Sequence, residues 1–331
     1  MARVLCSGSF MCDIITADLP RLGDPGDLIY APHGIQLHPG GHAANVAINL
    51  AQLGQTGIAV TGGLGRDLFG DFMEDQLTRH GIEVHAQRIT DAPTSKNVVL
   101  VVKGEDRRFY AELAANTMLS PEHVESTIKE THPEMFYQGT VGGLKYIDSV
   151  LDQVLEQARE TGALTFVDVV DPTEGAWRNL RSSLHLIDLL HCNLRESEKL
   201  TGEGDPFKAA ETLAQQGVRL AMVTMGSSGL IASTGEAKLK VPAFKVDTLD
   251  TTGAGDAFCA GVIAAILESE TLLPTSQREL TETLIKGAAA GAACVTATGA
   301  TTAVTREITQ GLITNQADDL RARVERLHRN L

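Results

Sequence analysis

Asp250-Thr-Thr-Gly-Ala-Gly-Asp-Ala-Phe258 is the stretch on which the reading of this 331-residue chain turns. It follows a strand-like run at 243–246 and precedes an apolar helical pattern at 257–267. Gly253 and Gly255 permit a tight turn with bare backbone N–H groups. The helix that begins there adds the positive end of its dipole, so turn and helix together cradle an anion. Such a cradle suits the charge on a transferring phosphoryl group. Asp256 lies in the first turn beside it, where a carboxylate can take a proton from an attacking hydroxyl. Taken alone, the same aspartate is equally an ordinary helix cap. No Gly-Lys-Ser/Thr follows, which excludes a P-loop, and Phe258 stands where the third glycine of a dinucleotide fingerprint would fall.

The remainder of the chain supplies the scaffold for such a turn. Apolar runs at 3–6, 58–61 and 97–102 predict strands, and Ala44, Ala47, Ile48 and Ala51 predict a helix over 42–53 that ends at Gly54. Further on come a strand at 134–138, a helix at 147–161 and strands at 164–170 and 186–191. A helix at 205–216 and a strand at 220–224 complete the series. This alternation is the pattern of βαβ units and a mostly parallel central sheet flanked by helices, an α/β fold. Segments 12–41 and 91–116 differ, with Pro, Gly and alternating polar and apolar residues. They read as strand pairs forming a small β lid on a single α/β domain spanning 1–331. The charged stretch 316–328 reads as a surface helix.

Composition narrows the partners. A net charge of −14 argues against nucleic acid, whose phosphate backbone needs a basic face. It does not argue against one nucleotide held by backbone N–H groups and a metal ion. No apolar run approaches the roughly 18 residues of a membrane span. The N-terminus lacks a signal-peptide layout, and Cys6, Cys12, Cys192, Cys259 and Cys294 form no CxxC pair. The expectation is a cytoplasmic protein with reduced, mostly buried thiols and a small-molecule substrate.

Four further motifs accompany the Gly-Ala-Gly-Asp turn. These are Gly40-Gly-His-Ala-Ala-Asn-Val-Ala47 with Gly62-Gly-Leu-Gly-Arg-Asp-Leu-Phe-Gly70, then Asn193-Leu-Arg-Glu196, then Thr224-Met-Gly-Ser-Ser-Gly229. In this order and over residues 4–305, the sequence resembles the ribokinase-like (PfkB) carbohydrate and nucleoside kinases. The resemblance implies an ATP-dependent, Mg²⁺-requiring kinase acting on a hydroxyl of a sugar or sugar-like substrate. It implies that Gly253, Ala254 and Gly255 form the anion hole and that Asp256 is the base. Asn193 and Glu196 would organise Mg²⁺ and the ATP phosphates through ordered waters, which fits the reluctance of Mg²⁺ to dehydrate. Thr224, Gly226 and Gly229 would hold the nucleotide, at the strand end where open α/β sheets bind ligands. Read without the resemblance, that segment is a strand-to-hairpin turn.

For the acceptor, the resemblance places Asp13, Gly40, Gly41 and Asn45 around the substrate hydroxyls, with His42 inside the same motif. His33, His38 and His42 have spacings that fix no metal geometry. Some members bind a monovalent cation beside the anion hole. Asp250 and Thr252 match that loop, and segment 294–299 would add carbonyl oxygens, so K⁺ is a candidate cofactor. A homodimer through the lid is likewise implied.

Substrate identity is less defined. Asp168-Val-Val-Asp-Pro172 keeps only the first carboxylate of the family's Asp-x-Asn-x-Arg pattern. Gly139-Thr-Val-Gly-Gly143 lacks the acidic residue of true ribokinases. In the lid, Arg107 or Arg108 would pair the carboxylate of a sugar acid. Phe109 or Tyr110 would stack on the base of a nucleoside. A sugar kinase is the leading reading, with a nucleoside kinase or a non-catalytic sugar- or nucleotide-binding regulator as alternatives.

Overall fold

The computed structural model describes residues 1–105, 108–171, 177–269 and 271–327. Among these, ten strands form one sheet. From edge to edge they run Glu325–Leu327, Lys238–Val241, Leu230–Ser233, Leu220–Thr224, Leu189–Asn193, Leu164–Val169, Met135–Val141, Val4–Gly8, Ile58–Thr61 and Glu83–Val84. The seven from Leu220–Thr224 to Glu83–Val84 pair in parallel. The three at the other edge are antiparallel. The parallel strands inside the edge strand Glu83–Val84 are buried on both faces, as their nearly unbroken apolar runs require. Along Val4–Gly8, Val4 and Cys6 join one helix-covered core while Leu5 joins the other.

The helix Ala254–Leu267 is buried from Asp256 to Leu267. It packs on Gln277–Cys294, and Gly287 makes the approach possible: a Cβ there would lie 2.6 Å from Val262 Cγ2. Its first turn meets Asp168 and His191 near the carboxyl ends of their strands, where open parallel sheets bind ligands.

The segments around 12–41 and 91–116 meet in a separate four-stranded sheet, in the order Ile35–Gly40, Met11–Leu19, Lys96–Val102, Arg108–Glu112. Its register sets His38, Asp13, Asn97 and Ala111 in one row across the strands.

Several elements differ from the sequence expectation: the strand expected at 186–191 runs Leu189–Asn193, after a short 3-10 turn at Leu184–Leu186. The helix at 147–161 is two, Lys145–Ser149 and Leu151–Glu160. The first is turned inward because the Asp148 carboxylate accepts the N–H groups of Gly142 and Leu144. The run 243–246 forms no strand. It follows Pro242, which has no N–H for a ladder, and lines a cavity instead. The tail helix runs Arg306–Ala322, with Thr305 Oγ1 accepting from Ile308 N, and the chain then adds the edge strand Glu325–Leu327. The charged second half of that helix had masked its start. The five cysteines are buried thiols, as expected.

Candidate active site

Gly253 opens the helix Ala254–Leu267 at φ 74° with no side-chain cap. A Cβ at this position would lie 2.2 Å from Ala300 Cβ, so both conformation and space demand glycine. The Ala254 N–H makes a long bond to Thr251 O at 3.4 Å, and no side chain caps the N–H groups that follow. The Asp256 carboxylate does not cap them: its Oδ2 accepts from Asn45 Nδ2 at 2.8 Å. Asn45 comes from the helix His42–Gln52, whose entry turns on Gly41 at φ 89°.

Behind Asp256 lies a chain of buried charges. His42 Nδ1 sits 3.9 Å from Asp256 Oδ1 and 3.7 Å from Asp168 Oδ2. Nδ1 is buried with no hydrogen-bond partner among the described residues, so it acts on both carboxylates through charge alone. His191 Nδ1 is 2.7 Å from Asp168 Oδ1, its Nε2 is 3.1 Å from Thr224 Oγ1, and Tyr137 donates to Asp168 Oδ2 at 3.1 Å. Burial raises the Asp256 pKa, with His42 and Asn45 opposing the rise. Burial would raise Asp168 too, but His191 holds it low. Burial works against the imidazolium forms of His42 and His191, yet the surrounding carboxylates carry both upward. Hydrogen bonds run from Asp168 through His191 to Thr224, and His42 links Asp168 to Asp256 by charge.

Asp13 lies on the opposite wall, 5 % exposed. Its Oδ1 accepts from Asn97 Nδ2 at 2.9 Å, and its Oδ2 lies 2.2 Å from where a Cβ on Gly40 would stand. Burial raises its pKa to about 6, against the opposing Asn97 bond. The row register places Phe109 on the face that carries Asp13, and Tyr110 and Arg108 on the other. Arg108 is engaged with Glu105. Arg107 lies outside the described residues.

A cavity of about 950 Å³, the size of a nucleotide site, is lined by Thr224, Gly226, Gly229, Ala254, Gly255 and Phe258 among others. Asn193 and Glu196 form a reciprocal capping box: Asn193 N donates to Glu196 Oε2 at 2.7 Å, and Glu196 N to Asn193 Oδ1 at 2.9 Å. The box engages one oxygen of Glu196 and leaves Oε1 for ordered water, a donor set that fits an outer-sphere divalent ion. At the loop before the anion turn, Asp250 Oδ1 accepts from Thr252 N and Oγ1, and Oδ2 from Gly299 N at 3.1 Å. That ties 250–252 to the 294–299 segment.

The sequence reading did not single out His191, Tyr137 or Asn97. A histidine in the otherwise apolar run Leu189–Asn193 was the available signal for the first.

Comparison with known proteins agrees with this architecture. The chain is 27 % identical over 310 residues to a probable fructokinase-7 of Arabidopsis thaliana, covering 90 % of this chain and 88 % of that protein. It is 28 % identical over 303 residues to a ribokinase of Haemophilus influenzae, covering 90 % and 93 %. The crystal structure of a fructokinase with bound ATP from Xylella fastidiosa superposes with a TM-score of 0.80 at 25 % identity, over 96 % of this chain and all of that one. The model of the pfkB family carbohydrate kinases matches residues 1–307, nearly the whole ribokinase-like fold, and the chain belongs to that family of phosphotransferases with an alcohol acceptor.

Proposed function

We propose that the chain transfers the γ-phosphoryl group of ATP to a hydroxyl of a small neutral sugar. The observation that carries this reading is the placement of Asp256 in the first turn of an uncapped helix. On one side lies the nucleotide-sized cavity that Gly255 lines. On the other is the wall of Asn45, Gly40, Gly41 and Asp13.

Asn45 fixes Asp256 Oδ2, so Oδ1 is the atom left to take the proton of the acceptor hydroxyl. The amides of the Gly253–Gly255 turn meet the charge on the transferring group, and the helix dipole adds to them. Mg²⁺, held through waters by Asn193 and Glu196, would neutralise phosphate charge when bound. Thr224, Gly226 and Gly229 hold the nucleotide. The relative crystallised with ATP supports that choice of donor. K⁺ at the Asp250–Thr252 loop would steady the anion turn. The small sheet would close over the acceptor and exclude water. Its outer face bears the exposed apolar residues Ile35, Leu37, Val98 and Tyr110, which favours a homodimer through this sheet.

Phe109, on the acceptor side of the sheet, favours a nucleoside as the second reading. The deciding experiment measures ADP release with Mg²⁺-ATP against hexoses, pentoses, sugar acids, polyols and nucleosides, with Asp256→Asn in parallel. Stimulation by neutral sugars that the variant loses by about 10²–10⁴-fold is the expected result. Stimulation by nucleosides alone would move the assignment, and near-normal turnover in the variant would end the role of Asp256.

A further inference from the structure

Parallel pairing of Met11–Leu19 with Lys96–Val102 sets Asn97 directly opposite Asp13. The hydrogen bond from Asn97 Nδ2 to Asp13 Oδ1, 2.9 Å long, fixes the amide. An ionised carboxylate only accepts, so the nitrogen faces Asp13 and the oxygen faces away. Asp13 is buried while Asn97 is half-buried, so Asn97 is the member of the pair more open to an incoming molecule. Asp13 Oδ2 occupies the space that a Cβ on Gly40 would need, 2.2 Å away, so the bare glycine is what admits the carboxylate. Nearby, Asn45 Oδ1 is buried without a partner, its amide nitrogen engaged with Asp256. Asn45 Oδ1 is thus a buried acceptor without a donor among the described residues, which is costly, and Asp13 Oδ2 and Asn97 Oδ1 add acceptor capacity for O–H donors beside it.

The charges at this wall select against an anionic group. Asp13 and Asp256 supply negative charge, His42 with its raised pKa is held between the Asp256 and Asp168 carboxylates, and burial lowers the pKa of His38, which stands across from Asp13, toward neutral imidazole. The neighbouring Lys96 ammonium is engaged by Glu112 at 2.7 Å and by Thr94 O at 2.8 Å.

We infer that Asn97 is a specificity-determining residue of the acceptor site, which positions Asp13 and reads a second hydroxyl beside the one Asp13 reads. The acceptor therefore turns an uncharged vicinal diol toward this wall. The inference deepens the proposed kinase function and rests on it.

The test pairs Asn97→Ala and Asn97→Ser with D-fructose, D-ribose and their monodeoxy analogues. For the sugar turned over, Asn97→Ala is expected to raise the sugar KM about 10- to 100-fold, the range of a lost hydrogen bond to a hydroxyl. The kcat should stay within about threefold and the KM for Mg²⁺-ATP should be unchanged, because the contact is made equally in ground and transition states. One deoxy analogue should lose affinity with the wild type and lose nothing further with Asn97→Ala, the signature of a direct pair. Asn97→Ser, which keeps an acceptor, should recover part of the loss. Equal losses for every analogue, or a fall in kcat at constant KM, would overturn the role. If neither sugar is turned over, the substrate panel with Mg²⁺-ATP decides the kinase reading separately, and carboxyl ¹³C NMR of Asp13 decides the tether. Titration near 6 in the wild type and higher in Asn97→Ala supports it, and identical titrations refute it.

Discussion

His42→Gln is predicted to move the acid limb of the activity profile upward while leaving the plateau rate nearly intact. The imidazole Nδ1 stands 3.9 Å from Asp256 Oδ1 and 3.7 Å from Asp168 Oδ2, with no hydrogen bond to either. Its influence on the base is therefore electrostatic. Two unit charges about 4 Å apart interact by about 4 kcal/mol at an effective dielectric near 20, or about 3 pK units. Residual hydration of a side chain that is 26 % exposed reduces this, and what remains is still enough to move the acid limb measurably upward.

The sign follows from the direction of each pKa. The carboxylates raise His42 and so favour the imidazolium beside Asp256, most fully on the acid limb. Burial raises Asp256, and His42 is the largest influence opposing that rise. A base works only when ionised, so kcat/KM falls as pH drops through its pKa. Removing the cation raises that pKa, and the fall must begin at higher pH. The assay is kcat/KM for the sugar between about pH 5 and pH 9, with Mg²⁺-ATP saturating and Asp256→Asn as the baseline. His42→Lys should restore the original limb. An acid limb that stays in place, or a uniform loss across the whole range, would refute the argument.

Other consequences are as direct. Asp13, raised by burial to about 6 from an unfolded value of 3.8, binds sugar as a carboxylate, so the sugar KM should rise as pH falls below about 6. The same raised pKa favours folding at low pH and costs stability above it. Asp13→Asn should thus stabilise the fold by up to about 3 kcal/mol at neutral pH, with the gain fading toward pH 3.8, while weakening sugar binding. Thermal melts at both pH values measure this. Gly253→Ala must place a Cβ 2.2 Å from Ala300 Cβ at φ 74°. Strain and overpacking of about 2–5 kcal/mol should lower the melting temperature and abolish turnover. Replacing Na⁺ by K⁺ should stimulate the wild type and not Asp250→Ala; equal rates in the two salts would remove the cation from the loop.

Much of the site could be read in the sequence because glycine marks it. Gly40-Gly41 and Gly253-Ala-Gly255 stand where the backbone adopts positive φ, as at Gly41 and Gly253, or where a Cβ would strike a neighbour, as at Gly40, and no other residue type does that at low cost. The parallel sheet was likewise legible in alternating apolar runs and glycine stops. The buried charges were not. Asp168, His191 and Tyr137 come from three different strands, and only the pairing register brings them together. Asn97 reaches Asp13 across 84 positions of chain, a neighbourhood that local periodicity does not encode. Segment 243–246 has strand-like composition, but the preceding Pro242 and the cavity wall claim it instead.

The two halves of the site stand on supports of different rigidity. The anion turn opens the helix Ala254–Leu267, which is buried from Asp256 onward and wedged between the sheet and Gln277–Cys294. Asp13 and Asn97 belong to the small sheet, much of which faces solvent. Changes on that sheet disturb little of the core, whereas changes in the buried helix disturb nearly all of it. Acceptor preference can therefore be redesigned, or drift, one strand residue at a time while the phosphoryl-transfer chemistry stays fixed. Grafting the Lys96–Val102 and Arg108–Glu112 strands onto a sugar kinase of another specificity should carry the acceptor choice with them.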